Sequence, residues 1–524
     1  MPSPASVPTA ERAATHLSAT HPSAAAQAAA GEAAESSPAV HPGPPAVTPS
    51  GGSPVWPGGP PGPTGRVTWP LGLPQLRALR RDYLGFVDHL VRTHGDMAAM
   101  RIVHERSVEL GTPELVRQAL VDQAEHLVRW ERGVEVFAEL FGRSVLTTEG
   151  ATWQRQRRML QPAFTPRRVA GYAALMVEAA TEVLEGALPA APVPGGRPAG
   201  AEGAEPLIDI EALWSRVTIA TILRTLFSLR DASAADAAMA ATRVLSATAM
   251  RQMFFPVTLP DWLPLPGKAA KRAAMRTLRG LVQGQIDARS AAGAPARDDL
   301  LGQLLALRDD DGSPLTPAEV FDQCLVTFQA GHETTATALA WWTALMAAHP
   351  EAAARAQAEV DTVLGRRPPE AADAARLPWL VATLKEAMRL YPPTTALMTR
   401  RCTRALALGG YTLPAGTLLR VTLWQLQRDA RNFEAPDMFR PERFLPDAPP
   451  PPRGAYLPFG LGPRVCIGQH FALLEMTLAA ALGLQRFVLP DHSDRPLPEP
   501  EVHASLRPRG GLAMPWRRRA AATH

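Results

Sequence analysis

Apolar residues recur at intervals of three and four along most of the chain from Leu71 onward. The pattern is regular in PELVRQALVDQAEHL (113–127), AGYAALMVEAATEVLEGAL (170–188) and EALWSRVTIATILRTLFSL (211–229). Because this spacing places apolar side chains on one face of an α-helix, it predicts amphipathic helices packed on a common core.

Three stretches depart from this pattern. LGGYTLPAGTLLRVTLW (408–424) predicts a strand, a Pro-Ala-Gly turn and a second strand. DAPPPPRGAYLPFG (447–460) predicts irregular chain because its prolines disfavour helix, and residues 189–206 read as a loop insert. The predicted fold class is therefore mainly α, a large helical body with a minor β portion.

The longest predicted helix lies in TPAEVFDQCLVTFQAGHETTATALAWWTALMAAHP (316–350). Thr316 as N-cap, Pro317 in the first turn and Glu319 closing a capping box mark its start, and Pro350 marks its end. A helix of about 30 residues spans a domain at ~1.5 Å per residue, so it is expected to be central and buried.

Polar residues interrupt this helix at AGHETT (330–335). A buried carboxylate and two threonines at mid-helix need hydrogen-bond partners or a function, although a solvated polar patch would give the same pattern. His332 and Glu333 begin like the zinc motif HExxH, but Ala336 stands where the second histidine would be. Zinc hydrolysis is therefore disfavoured.

Composition narrows the class of protein. The 524 residues are 46% hydrophobic and 20% charged, with a formal net charge of +4. The arginines are spread along the chain without an aromatic-interleaved basic block, which disfavours nucleic-acid binding. Cys324, Cys402 and Cys466 lie far apart, so neither a disulfide framework nor a zinc knuckle is indicated.

The N-terminal residues 1–64 are rich in Ala, Pro, Ser and Gly and are predicted to be disordered. No signal-peptide core precedes the helical part, and no run of 18 strongly apolar residues indicates a membrane anchor. A cytoplasmic location is expected, with a transit or tethering role for the N-terminal segment as the alternative.

One cysteine lies in a distinctive loop, Phe459-x-x-Gly462-x-Arg464-x-Cys466-x-Gly468, directly before a predicted helix. Backbone N–H groups at a helix N-terminus stabilise a thiolate, and glycines allow close approach to the sulfur and to a porphyrin. Arg464 can pair with a heme propionate, and Phe459 can pack beside the sulfur. The pattern fits an axial heme ligand, whereas a small buried cysteine would leave these neighbours unexplained.

The loop resembles the heme-binding signature of the cytochrome P450 family, the heme-thiolate monooxygenases. Similar family motifs follow the same order along the chain: Trp153-x-x-x-Arg157, AGHETT, Glu386-x-x-Arg389, PERF with Arg443, and LGGYTLPAGT. The resemblance covers residues 65–517 and leaves residues 518–524 as a tail. It implies the P450 fold, with a long central helix over heme b and a small β-rich portion.

The resemblance also implies roles for single residues. Cys466 would ligate the iron, Ala330 and Gly468 would lie against the heme, and propionate contacts would come from Trp153, Arg157, Arg464 and Arg400, with Arg401 as the alternative to Arg400. Without the resemblance, Trp153 and Arg157 would read as part of an exposed basic helix.

A second group of residues would be structural. Glu386 and Arg389 stand one turn apart, which alone describes a solvated surface pair of little energetic value. The resemblance instead implies a buried triad with Arg443 that holds the loop carrying Cys466.

The implied reaction is O₂-dependent hydroxylation or epoxidation of a small lipophilic substrate. Glu333 would relay protons, and Thr334 would help deliver them when the O–O bond is split. Electrons would come from separate partners, a ferredoxin and its reductase or a flavodoxin-like donor, and the protein is expected to be a monomer without nucleic-acid partners.

Two other functions stay open. A related heme-thiolate enzyme could use peroxide or isomerise oxygenated lipids, and a heme-binding sensor or carrier would need Cys466 without the acid–threonine pair. The apolar segment 251–268 and the residues ahead of Ala330 suit a lipophilic ligand but do not rank fatty acid, terpenoid, alkane or polyketide.

Overall fold

The computed structural model describes residues 53–63, 72–102, 105–187, 207–253, 259–291, 295, 297–395 and 398–519. The helices are α1 (Leu73–Arg81), α2 (Tyr83–His94), α3 (Pro113–Arg117), α4 (Glu131–Phe141), α5 (Gly150–Leu160), α6 (Pro166–Ala170), α7 (Ala173–Gly186), α8 (Ile210–Phe227), α9 (Ala232–Met253), α10 (Lys268–Ser290), α11 (Leu300–Ala306), α12 (Pro317–Ala348), α13 (Pro350–Leu364), α14 (Pro378–Leu390), α15 (Leu423–Leu426) and α16 (Gln469–Arg486).

The strands are short and grouped in small sheets. They are β1 (Met97–Ile102), β2 (Glu105–Leu110), β3 (Leu127–Arg129), β4 (Leu207–Asp209), β5 (Arg400–Cys402), β6 (Leu406–Leu408), β7 (Tyr411–Leu413), β8 (Leu418–Arg420), β9 (Phe487–Val488), β10 (Pro500–Val502), β11 (Leu506–Pro508), β12 (Ala513–Pro515) and β13 (Arg517–Arg518). The mainly helical fold with a minor β portion is the one that the sequence pattern predicts.

The central helix α12 organises the core. It packs against α8 and α14, and most of its side chains are buried. Its predicted capping box is present, because Thr316 Oγ1 accepts from Glu319 N at 3.2 Å and Glu319 Oε2 accepts from Thr316 N at 2.9 Å. The helix ends at the His349 cap, as predicted.

A five-stranded sheet in the order β1-β2-β8-β5-β3 forms the main β portion. The predicted strands of segment 408–424 are present as β7 and β8, but they lie in different sheets. β8 pairs in parallel with β2, bringing Leu418 beside Ser107, and β7 pairs with β6.

The predicted helix over residues 113–127 is wrong beyond Asp122. Helix α3 ends at Arg117, a π-helix continues over Gln118–Asp122, and Leu127 begins β3. The cause is tertiary: Leu127 pairs with Cys402 of β5, and the Leu120 carbonyl packs against Gly462. Sheet pairing and loop packing override the helical periodicity.

Residues 53–63, part of the N-terminal segment for which disorder is predicted, pack at the edge of the main sheet. Pro54 bridges to Pro61, whose carbonyl accepts a 2.8 Å hydrogen bond from Ala99 N at the edge of β1. Residues 59–62 are buried there, so this stretch covers an edge strand. Residues 1–52 and 64 lie outside the described residues. Within the described part of the chain, no helix is long and apolar enough to cross a membrane.

Candidate active site

Cys466 differs from the other two cysteines in its surroundings. Cys324 and Cys402 are buried in the core, whereas solvent reaches the Cys466 side chain. The loop is fixed where Cys466 N donates to the Phe459 carbonyl at 2.8 Å, three residues before α16 begins. The thiol at residue 466 is therefore held in place and accessible.

The sulfur of Cys466 nevertheless lies deep enough for desolvation to dominate its ionisation. Burial raises the pKa of the thiol, while the Gly468 N–H and the positive charge of Arg157 act in the opposite direction without cancelling it. The helix-terminal N–H therefore has the predicted sign but does not by itself produce a thiolate. A side chain at Gly468 would stand 4.0 Å from the sulfur, so the sulfur does not exclude one there.

Gly462 fixes the path of the loop ahead of Cys466. Its φ is +78°, and a Cβ there would lie 2.0 Å from the Leu120 carbonyl oxygen. Both the backbone conformation and the close contact require glycine at this position. Phe459, which also belongs to the predicted motif, is half-buried.

Two arginines meet on the sheet beside this loop. Arg129 stands directly opposite Arg400 where β3 pairs with β5, and like charges in that arrangement repel. Burial, followed by the charges of Arg464 and Arg400, lowers the pKa of Arg129 to about 9. Burial also lowers the pKa of Arg400, with Glu149 acting against it. The sequence motifs did not identify Arg129.

Arg464 belongs to the same cluster. Its guanidinium lies 4.0 Å from the centroid of the Trp153 ring, donates to the Thr148 carbonyl at 2.9 Å and pairs with Glu149. Burial lowers the pKa of Arg464 to about 10 despite the Glu149 carboxylate, and neighbouring arginines contribute to the lowering.

The cluster has an excess of positive charge. Four arginines, Arg129, Arg157, Arg400 and Arg464, interact there, and among the described residues their carboxylate partner in the cluster is Glu149. The electrostatic coupling of Arg157 to Cys466 places this charge close to the sulfur. A heme carries two propionates, whose negative charges would offset most of the excess, so these residues fit the group.

Arg401 does not share this environment. Successive side chains of a strand point to opposite faces, and Arg401 pairs with Glu105 at 2.9 Å and with Glu131 at 2.6 Å. Of the two candidates left open by the sequence, the structure brings Arg400 into the arginine cluster.

The middle of α12 has an accessible stripe in an otherwise buried helix. Ala330 is exposed and Thr334, one turn later, is half-buried. The Thr334 hydroxyl donates to the Ala330 carbonyl at 3.0 Å, as its position predicted, although the helix stays continuous. Gly331 allows α12 to pack closely on α8, because a Cβ there would meet Ile222 at 3.2 Å.

Glu333 lies beside this stripe but faces a buried polar network. Its Oε1 accepts from Arg507 Nη2 at 2.8 Å and from Ser505 Oγ at 2.9 Å. Its Oε2 accepts from Ser246 Oγ and from Gln329 Nε2 at 3.2 Å. These four partners were not found from the sequence; the spacing of Gln329 and Glu333, one turn apart, was the available signal.

The predicted triad is assembled, with Glu386 and Arg389 buried and Arg443 half-buried. Glu386 and Arg389 have no exposed side-chain surface and form two hydrogen bonds, of 2.7 and 2.8 Å. Arg443 Nε reaches Glu386 Oε1 at 3.4 Å. Arg389 also donates to three backbone carbonyls, those of Gln427, Pro436 and Met438.

Gln427 connects the triad to the loop that carries Cys466. Its side-chain amide donates to the Arg389 carbonyl at 2.9 Å, and its Oε1 accepts from Leu457 N at 2.9 Å. The triad therefore braces the start of this loop from α14.

Comparisons with known proteins agree with this arrangement. The family model "Cytochrome P450" matches residues 60–514. The chain is 35% identical over 428 residues to "Cyclooctatin synthase" of Streptomyces melanosporofaciens, an alignment that covers 80% of this chain and 87% of the relative. "Cyclooctat-9-en-7-ol 5-monooxygenase" of the same organism is 34% identical over 425 residues, with coverages of 80% and 87%.

A third relative is similar over most of its length. "Pentalenene oxygenase" of Streptomyces avermitilis is 32% identical over 413 residues, which are 77% of this chain and 87% of the relative. With the family model spanning most of the chain and relatives above 30% identity along their length, the chain belongs to the cytochrome P450 family, whose cofactor is heme.

Proposed function

We propose that this monooxygenase oxidises a terpenoid hydrocarbon or alcohol at a heme ligated by Cys466. The observation that carries the heme site is a cluster of four arginines with one carboxylate partner, beside an accessible cysteine. The terpenoid class is supported by relatives named for cyclooctatin, cyclooctat-9-en-7-ol and pentalenene. When bound, a thiolate-ligated heme supplies the activation of O₂ and the insertion of one oxygen atom into the substrate.

Several residues of the chain would hold the heme. Cys466 Sγ would bind the iron, and Arg129, Arg157, Arg400 and Arg464 would hold the propionates, with Trp153 stacked on Arg464. Phe459 would pack beside the sulfur, while Gly468 would contribute its N–H to it.

The accessible stripe of α12 would border the bound substrate. Ala330 is small enough to leave room for O₂ and substrate, and the Thr334 hydroxyl oxygen keeps acceptor capacity while its proton is donated to the Ala330 carbonyl. Glu333 would accept a proton at its carboxylate and pass it toward Thr334. Electrons would be supplied by a separate ferredoxin with its reductase, or by a flavodoxin-like donor.

The test of the heme site is the reduced, carbon monoxide-bound difference spectrum of the wild type and of Cys466→Ala. We expect a strongly red-shifted Soret band in the wild type that the variant lacks. A Soret band typical of histidine-ligated heme in the folded wild type would contradict the proposal.

The substrate class needs a separate measurement. Purified protein is titrated with cyclic terpene hydrocarbons and alcohols and, as a matched set, with fatty acids of similar carbon number, and the heme spin-state shift is followed. We expect shifts with the terpenoids at lower concentration. Equal or better binding of fatty acids would remove the terpenoid assignment, and turnover with peroxide alone would indicate a peroxide-using enzyme instead.

A further inference from the structure

The hairpin β10–β11 contacts Glu333 in the middle of the central helix α12. We propose that Arg507 is a positioning residue for proton delivery, because its direct ion pair fixes the carboxylate of Glu333 beside the reaction site. This proposal rests on the proposed function, in which Glu333 relays protons.

The hairpin supplies two donors to one oxygen. Ser505 and Arg507 are two positions apart, so their side chains leave the strand on the same face. Both donate to Glu333 Oε1, the serine at 2.9 Å and the arginine at 2.8 Å. The intervening Leu506 makes its backbone contacts elsewhere.

Those contacts hold β11 in place from two sides. Leu506 N donates to the Pro393 carbonyl at 2.9 Å, and the Leu506 carbonyl accepts from Trp341 Nε1 at 2.7 Å. The Trp341 ring is itself stacked on Tyr391, with centroids 3.8 Å apart and planes inclined by 8°. Because Trp341 is on α12, the same helix carries both Glu333 and the anchor of the strand that binds it.

The second oxygen of Glu333 is fixed by α9. Ser246 Oγ and Gln329 Nε2 donate to Oε2, and Thr242 Oγ1 donates to Gln329 Oε1 at 3.2 Å. Thr242 and Ser246 are one turn apart on α9, as Gln329 and Glu333 are on α12, so two helical turns face each other. Three elements therefore determine where this carboxylate points.

Arg507 is the positive charge in this network. Burial would raise the pKa of Glu333, but the charge of Arg507, the Ser246 hydrogen bond and His332 outweigh it, and the pKa lies below its ordinary value. Glu211 is the other acid coupled to Arg507, and burial raises its pKa while Arg507 acts in the opposite direction. Removal of the guanidinium would leave a buried carboxylate without its counter-charge, which favours protonation.

A Glu333 carboxyl with a raised pKa releases its proton less readily, so it would pass protons toward Thr334 more slowly. Product formation consumes one O₂, two electrons and two protons and gives one oxygenated product and one water. When proton delivery to the reaction site is disturbed, the same two electrons and two protons leave with O₂ as one H₂O₂. Loss of Arg507 is therefore expected to divert electrons from the redox partner into peroxide.

The direct test is infrared spectroscopy of heme-loaded protein without turnover. Arg507→Gln should gain a carbonyl stretching band of a protonated carboxylic acid that is absent from the Arg507→Gln/Glu333→Gln double variant. Arg507→Lys, which keeps the charge, should not gain the band. The matched control is Arg509→Gln, on the same hairpin, whose exposed side chain pairs with Glu499.

Turnover provides the second readout. With substrate and a ferredoxin system, Arg507→Gln should form product about 10²-fold more slowly, with a matching rise in the fraction of NADPH recovered as H₂O₂. Arg507→Lys should restore most of the coupling, and Arg509→Gln should behave as the wild type.

The outcomes separate this proposal from the one on which it rests. If Arg507→Gln does not gain the band, or if coupling matches that of Arg509→Gln, Arg507 does not position Glu333, while the spectra of the Cys466 site stand unaffected. If Arg507→Gln does not fold, wild type and Glu333→Gln are compared directly. A protonated-acid band that is present in the wild type and lost in Glu333→Gln would overturn the proposal. A carboxylate band that is present in the wild type and lost in Glu333→Gln would support it.

Discussion

Among the described residues, the arginine cluster of the triad and the one beside Cys466 differ in how their charge is satisfied. In the triad, Arg389 forms a bidentate pair with Glu386 and donates to three backbone carbonyls, with no exposed surface on either side chain. Beside Cys466, Arg129 and Arg400 face each other across a strand pair with lowered pKa values. A fully paired cluster is a structural brace, whereas an excess of one charge indicates a site for a ligand of the opposite charge.

The largest predicted effect is on the paired cluster. Glu386→Gln should lower the free energy of unfolding by about 3–5 kcal/mol, because Arg389 would be left as a buried charge without its partner. The measurement is urea-induced unfolding followed by circular dichroism. Glu434→Gln is the control, since Glu434 forms an exposed pair with Arg440. A change no larger than that of the control would show that the triad is not the brace inferred here.

The second prediction concerns neighbouring arginines on opposite faces of β5. Arg400→Gln should release heme to an acceptor protein about tenfold faster or more, because one charge-assisted contact to a propionate is lost. Arg401→Gln is the matched control and should retain heme at the wild-type rate, since its partners are Glu105 and Glu131. The reverse order would place Arg401 at the propionate.

The third prediction is that one substitution, Arg129→Gln, has opposite effects on heme-free and heme-loaded protein. In heme-free protein, Arg129→Gln should leave the free energy of unfolding unchanged or raise it by about 0.5–1 kcal/mol, because a like-charge pair opposite Arg400 is removed. In heme-loaded protein the same change should speed heme loss. The free energy of unfolding is measured by chemical unfolding of heme-free protein, and heme loss by transfer of heme to an acceptor protein. Destabilisation of the heme-free protein by this substitution would mean that Arg129 has a structural partner of its own.

The smallest effect on stability is expected at the ion pairs that Asp373 forms with Arg367 and Arg376. Arg367 donates to both oxygens of Asp373 at 2.6 Å, and this pairing, against the cost of burial, lowers the pKa of Asp373 from 3.8 to about 2. Because the pKa is lowered on folding, the stabilisation is present above about pH 4 and is lost as the pH falls toward 2.

Asp373→Asn should therefore cost about 1–2 kcal/mol at neutral pH, less than the full shift because the arginine partners are partly exposed. The difference from the wild type should shrink as the pH falls toward 2 and disappear below it. A pH-independent difference would point to lost capping of the Glu370 turn rather than to the ion pair.

The sequence identified the parts of the site that are local. The loop around Cys466, the capping box of Thr316 and the spacing of Glu386 and Arg389 each depend on residues within a few positions, and local spacing determines their geometry. The family resemblance supplied the fold and the heme. It also pointed to Arg400, though only the alternation of β5 separates it from Arg401.

The rest depends on pairing between distant segments. Arg129 has no motif around it and joins the cluster only because β3 pairs with β5. Arg507 reaches Glu333 from a strand that Leu506 anchors to Pro393 and Trp341. The helical periodicity of residues 113–127 was real, yet sheet pairing at Leu127 overrode it. Spacing along the chain carries no information about such contacts.

The sheet that unites β2 with β8 and β3 with β5 joins segments far apart in the chain. Closing such long loops is slow compared with forming helices, so this sheet should be among the later structures in refolding. Heme binding would therefore report when the sheet has formed during refolding. Heme absorbance would monitor this step, and far-ultraviolet circular dichroism would monitor the earlier formation of the helices.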